Sequence, residues 1–183
     1  MKFIKLFETW VTEFHDSKVV KIKDKNTSEI IAKIIANGDN NLNGIKLIGL
    51  DLKYGDFNSY DLIHTEFEGC DFSDSVFTNC IFENSSINHS KFHDVEILNS
   101  TLEGSIFEDC HFDNSFFKEV NLMNTHFNSC DFSKLIGLET CFYLSEAVFT
   151  DCFFNDVDFS WLQQKDPRFP KNEVFINCKG LSF

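Results

Sequence analysis

Apolar residues return along this chain at a period that belongs to neither helix nor flat strand. Counting every fifth position from Leu42 gives Leu42, Leu47, Leu52, Phe57, Leu62, Phe67, Phe72, Phe77, Phe82, Ile87, Phe92, Ile97, Leu102, Phe107, Phe112, Phe117, Leu122, Phe127 and Phe132. All nineteen are Leu, Ile or Phe. A second column runs two residues ahead of the first from Thr65 to Cys130, and nearly every member is small: Cys, Ser, Thr or Val. The other three positions of each unit are mostly polar. A helix repeats at 3.6 residues and a strand at 2, so a period of five requires a backbone that turns a corner every few residues. One such unit cannot bury its apolar residue alone. Coils stacked ~4.8 Å apart can, because backbone groups then pair between coils and like side chains lie over like.

The register is 2 modulo 5 through Phe132 and 4 modulo 5 at Phe149, Phe154 and Phe159, with Cys152 and Val157 in the matching small column. Two extra residues therefore lie between 132 and 149, and a bulge or short loop is expected around Leu135–Thr140, with the coil resuming near Leu144. Residues 1–41 do not repeat and read as an N-terminal cap. Val19 to Lys23 suggests a short strand. Asn26-Thr27-Ser28 ahead of Glu29-Ile30-Ile31-Ala32-Lys33-Ile34-Ile35-Ala36-Asn37-Gly38 suggests a capped helix stopped by glycine. Beyond the repeat, Ser160 to Gln164 opens a short helix that Pro167 ends, and residues 173–178 return as a strand. The divisions are 1–41 for the cap, 42–160 for the solenoid with its shift at 133–148, and 161–183 for a C-terminal cap or dimer segment.

The units Cys70-Asp71-Phe72-Ser73-Asp74, Cys80-Ile81-Phe82-Glu83-Asn84 and Cys130-Asp131-Phe132-Ser133-Lys134 resemble the pentapeptide-repeat family. That resemblance implies an all-β solenoid, a right-handed quadrilateral β-helix with four pentapeptides, or twenty residues, per coil. A twenty-residue turn stacks Leu52, Phe72, Phe92, Phe112 and Phe132 in one ladder, and Leu42, Leu62, Leu102 and Leu122 in another that only Phe82 interrupts.

Composition agrees with a repeated slot: Phe occurs 23 times, whereas Trp and Tyr together occur five times. The net charge is −13. That balance disfavours nucleic acid as a direct partner, since phosphate binding needs a surplus of Lys and Arg. No secretory signal or membrane span is expected, because Glu8 and Glu13 break the opening apolar stretch, so the compartment reads as cytoplasmic. Seven cysteines without a CxxC pair suggest neither a disulfide framework nor a zinc site. Cys110 and Cys130 become coil neighbours within disulfide reach, but their place in the small inward column is explained by packing. His111 and Asp131 stack beside Lys91, which reads as an outward polar ladder and not as a metal site. No motif for catalysis or cofactor binding appears, and no enzyme is expected.

The charge is uneven. Residues 42–132 carry four basic and sixteen acidic groups, a net of −12, against +1 for residues 1–41 and −2 for 133–183. At about 4.5 coils and roughly 22 Å, that is one net negative charge per ~1.8 Å, close to the ~1.7 Å of duplex DNA. One side gathers six acids: Asp51, Asp71, Asp74, Asp94, Asp113 and Asp131. Resemblance to the quinolone-resistance subset of the family implies a DNA mimic that binds a type II topoisomerase, DNA gyrase or topoisomerase IV. It also implies a homodimer through the C-terminal end, for which Trp161, Leu162, Phe169 and Phe183 are the candidate contacts. The competing expectation is a binding scaffold, with residues 1–41 as its recognition part and Ile63, Ile81, Leu98, Phe116 and Met123 as an outward apolar patch.

Overall fold

A computed structural model describes residues 18–36 and 39–182. From Asn41 onward the chain winds in coils whose parallel pairings join residues twenty apart: Lys46 with Glu66, Glu66 with Ser86, Asp56 with Val76, Asp71 with Lys91. Two sheets of three- to four-residue strands run along the rod, and lines of single β-bridges run along the two sides between them. Twenty residues per coil and a five-residue unit make four sides.

The interior is the two columns read from the pattern. All nineteen large residues are buried, and so is every member of the small column from Thr65 to Cys130. The phenylalanines stack face to face up the rod. Phe72–Phe92, Phe92–Phe112 and Phe112–Phe132 have ring centroids 5.0, 4.8 and 5.0 Å apart. Neighbouring ladders meet edge to face, as Phe107 and Phe112 do at 5.5 Å. Both arrangements suit the ring quadrupole.

The small column is small for a second reason. Ser115 Oγ donates to Phe92 O and accepts from the Val95 N–H of the coil before it. Ser75, Ser85 and Ser105 repeat the pattern, so inward hydroxyls knit successive coils. Among the described residues no buried side-chain N or O atom lacks a partner. Replacing Ser115 by Ala strands the Val95 N–H in the core. The expected loss is about 1–3 kcal/mol in chemical denaturation, against a few tenths for the same change at the exposed Ser145.

Corners are built by a third column that the apolar pattern does not reveal. Every fifth residue from Gly44 to Lys134 has φ between 49° and 68°. Fourteen of these nineteen are Gly, Asn, Asp or His, the types that tolerate the left-handed region best. The Asn-rich polar positions are thus turn chemistry as much as surface.

The two added residues lie between 132 and 149 as expected, but they form no projecting loop. The second lies beyond Leu135–Thr140, so the regular coil resumes after Glu146 and not at Leu144. Bridge offsets grow from twenty (Phe116 with Ile136) to twenty-one (Asn121 with Phe142) to twenty-two (His126 with Val148). One residue is added at each of two consecutive corners, Gly137 at φ 94° and Tyr143 at φ 58°. Each precedes a 3₁₀ turn, Leu138–Thr140 or Leu144–Glu146. The inward alternation survives as Leu135, Leu138, Cys141, Leu144, Ala147 and Phe149, all buried.

The N-terminal expectation needs correction. Strand β1 (Lys18–Asp24) is present, but the segment read as a helix is strand β2 (Ile30–Ala36), antiparallel to β1. Its run of isoleucines favours a pleated, half-buried surface over a helix. Asn26-Thr27-Ser28 is the hairpin turn and not a helix cap: Asp24 Oδ1 accepts from the Asn26 and Thr27 N–H groups, and Ser28 has φ 61°. The β1 strand also pairs antiparallel with Gly55–Asn58, so the hairpin extends one sheet of the rod. Buried Val20, Ile22, Ala32 and Ile34 cover the first coils. The helix stop proposed at Asn37-Gly38 lies outside the described residues.

At the other end, helix α1 (Ser160–Lys165) and the single turn α2 (Lys171–Val174) make a detour before Phe175–Ile176 pairs with Phe149–Thr150. Leu162 and Val174 are buried there. The strand is thus shorter than the 173–178 expected, because Glu173 and Val174 complete α2.

Candidate protein-interaction surface

The rod presents ladders of outward side chains, and the six acids of the candidate face lie on one side, residues 51–55 and their successors at twenty-residue steps. Asp51, Asp71, Lys91, His111 and Asp131 form one bridge ladder along it. Asp74 and Asp94 occupy its left-handed corner positions, and Asp113 sits between them and the ladder.

Several of these acids are already engaged. Lys53 Nζ lies 3.2 Å from Asp71 Oδ2, and Lys91 Nζ lies 3.8 Å from the same oxygen. Burial alone would raise the Asp71 carboxyl. Hydrogen bonds from Ser73 Oγ and the Ser73 N–H, with Lys53, outweigh it and hold the group below the ordinary carboxylate value. His93 is clasped by Asp113 at 2.5 Å and Asp94 at 2.9 Å. Its partial burial opposes a charge, but the Asp113 bond and the charges of Asp113, Asp94 and Asp74 prevail and raise its pKa. Among the described residues Asp51, Asp74 and Asp131 form no ion pair, and they define the unneutralised part of the face.

Counting lysines with acids over residues 42–132 changes the face analysis. The six-acid side carries Lys53 and Lys91 and nets −4, while the other three sides net −3, −3 and −2. Negative charge therefore surrounds the rod nearly evenly. On a neighbouring side, His89 bridges Glu68 at 3.1 Å and Asp109 at 3.4 Å, and Lys46 meets Glu66 at 2.8 Å.

The proposed C-terminal contacts fare unequally. Leu162 is 2% exposed and belongs to the chain's own core, because α1 folds it under the last coil; as a surface contact it is withdrawn. Trp161 and Phe169 are half-buried. The Trp161 Nε1–H donates to Asp158 O at 2.8 Å, and Phe169 packs on Phe175. Phe183 lies outside the described residues. Ile63, Ile81, Leu98, Phe116 and Met123 are all half-buried. More exposed apolar side chains are Ile136 (62%), Ile48 (60%), Phe142 (52%) and Tyr143 (50%); the register shift hides which way three of them point, while Ile48 lies in the regular repeat.

Among the described residues no three His, Cys, Asp or Glu side chains converge as a metal site, and no helix is long and apolar enough to cross a membrane. Grooves on the rod are open and shallow; one runs beside Ile81, Thr101, Asn121 and Phe142.

Residues 50–127 match the family model described as a pentapeptide repeat region. With twenty-residue coils and both inward columns, that stretch has the build of a pentapeptide repeat region. Among solved structures, Rfr23, a pentapeptide repeat protein from the cyanobacterium Cyanothece 51142, aligns with a TM-score of 0.53 at 16% identity, covering 56% of this chain and 82% of that one. QnrB1, a plasmid-mediated fluoroquinolone resistance protein, is 20% identical over 65% of this chain and 77% of its own, with a TM-score of 0.28. A pentapeptide repeat protein from the Arabidopsis thaliana thylakoid lumen is 17% identical over 67% and 73%, with a TM-score of 0.29. No curated protein matches the chain in sequence.

Proposed function

We propose that this protein is a non-catalytic interaction module whose acidic rod imitates duplex DNA and occupies the DNA-binding groove of a type II topoisomerase. The carrying observation is the net −12 on residues 42–132, spread over all four sides. A duplex also presents charge all round its axis, and the linear densities agree, at about 1.8 Å against ~1.7 Å per charge. Ladders of outward residues at coil spacing give the charges fixed positions, so little ordering cost remains on binding. A homodimer joined at the C-terminal ends, with Trp161 and Phe169 at the contact, would lengthen the mimic.

A supercoiling assay with DNA gyrase, the protein titrated in, tests the reading. Inhibition of supercoiling, or protection from a quinolone, is expected, weakening steeply as salt rises. Reversing Asp71, Asp74 and Asp94 to Lys shifts the net charge by +6 and is expected to abolish the effect while the fold, checked by circular dichroism, persists. No action on gyrase at any concentration, or undiminished action by the triple variant, would sink the proposal.

A second reading, a cytoplasmic scaffold for another protein, draws on exposed Ile136, Phe142 and Tyr143 near the C-terminal coils. It predicts no topoisomerase effect and loss of partner capture on Phe142→Glu.

A further inference from the structure

Six of the seven cysteines are buried, and five of the seven share one column. Cys110, Cys130, Cys152 and Cys178 follow one another in successive coils on one side of the rod, above Ser90 and Cys70. Each points the same way, its Sγ on a carbonyl of the coil before: Ile87 O at 3.4 Å, Phe107 O at 3.6 Å, Phe127 O at 3.3 Å and Phe149 O at 3.3 Å. For packing alone, Ser90 shows that a hydroxyl serves in this column.

We propose that Cys152 and Cys178 form an oxidation site, a dithiol that a hydroperoxide converts into a disulfide between the last two coils. Their register is fixed from both sides, by Thr150 with Ile176 and by Phe153 with Lys179. Their Cα atoms therefore stand at the coil spacing of ~4.8 Å, inside the roughly 4.4–6.8 Å that a disulfide spans. The bridge needs the two Cβ atoms to close by less than about an ångström from ladder spacing. Cys178 can make that move. Among the described residues no further coil covers its outer side, whereas Cys110 and Cys130 are each held between two coils. Access selects the same residue, because Cys178 is half-buried and the other three are fully enclosed.

The chemistry balances. The Cys178 thiolate attacks the peroxide O–O bond, forming a sulfenic acid and releasing an alcohol, or water from hydrogen peroxide. The Cys152 thiolate then attacks Cys178 Sγ, the S–O bond breaks, and hydroxide leaves as water after taking a proton. Two thiols lose two electrons in all, and the peroxide accepts them. Exposure and not acidity selects Cys178 for the first step, since its Cys152 contact and its burial push its thiol up. Cys152, which its Cys130 and Cys178 contacts hold low against burial, supplies the thiolate of the second. The product closes the detour through α1 and α2 into a covalent loop.

The test takes the full, reduced chain, exposes it to hydrogen peroxide, then unfolds and alkylates it for peptide mapping. The expected result is a fall from seven free thiols to five, one cross-linked peptide pair joining Cys152 to Cys178, and full reversal by dithiothreitol. Cys152→Ser and Cys178→Ser should each abolish the cross-link, and Cys130→Ser should leave it. Serine is tolerated in this column at Ser90, so the variants are expected to fold. A link from Cys130 to Cys152, a link between two chains through Cys178, over-oxidation of Cys178 without a link, or no loss of thiols would each overturn the proposal.

Discussion

Phe112→Ala should lower the stability of the solenoid by about 3–5 kcal/mol, the range for removing a fully buried phenylalanine ring. Phe112 has no exposed surface and lies in the middle of its ladder. It stacks on Phe92 at 4.8 Å and Phe132 at 5.0 Å, and takes Phe107 and Phe117 edge-on at 5.5 and 5.6 Å. The cavity would open between rings that backbone pairing on both sides keeps from collapsing inward, which places the cost toward the upper end. Phe112→Leu, which refills most of the volume, should cost about 1–3 kcal/mol. Phe153→Ala, at a ring 38% exposed on the outer surface, should cost less than about 1 kcal/mol. Urea denaturation of the three variants decides the matter. Equal losses for Phe112→Ala and Phe153→Ala would mean that the inner ladder does not carry the fold.

The second large effect is at Gly137. This inserted corner residue has φ 94°, and a Cβ added to it would stand 1.8 Å from the Phe117 carbonyl oxygen. Backbone cannot swing aside as a side-chain tip can. Gly137→Ala must therefore displace the corner or part the Phe117 N–H···O=C bond to Ile136, and an expected loss of about 2–4 kcal/mol follows from strain plus overpacking. Gly69→Ala is the control. It has φ 61° with nothing within 4 Å of the added carbon, so only the left-handed preference is lost, about 1 kcal/mol. Thermal unfolding that placed the two alanines together would show that the corner, despite its crowding, is free to relax.

The inward columns were legible because each obeys one rule for the whole rod: a residue five places on meets the same surroundings. The hairpin at residues 18–36 was not, since its signals serve two structures. Asn26-Thr27-Ser28 can cap a helix or turn a hairpin, and the pairing of β2 with β1, which in turn pairs with Gly55–Asn58 far along the chain, decides for the strand. The left-handed column is present in the sequence as Gly, Asn, Asp or His at most of its places, but polarity alone does not separate it from ordinary surface. The acidic surplus was equally plain. Its partial cancellation was hidden, because Lys91 meets Asp71 and His93 meets Asp113 only after a full coil has been wound.

Gly137 and Tyr143 each lengthen one coil by a single residue without disturbing what lies inside. Perimeter and interior are thus separable quantities in this architecture. A lineage can add to the rod's outline one amino acid at a time, while the coils beyond stay in register and the stack of rings within continues uninterrupted. Shape at the surface is then free to drift at the bends long before the filling has to change.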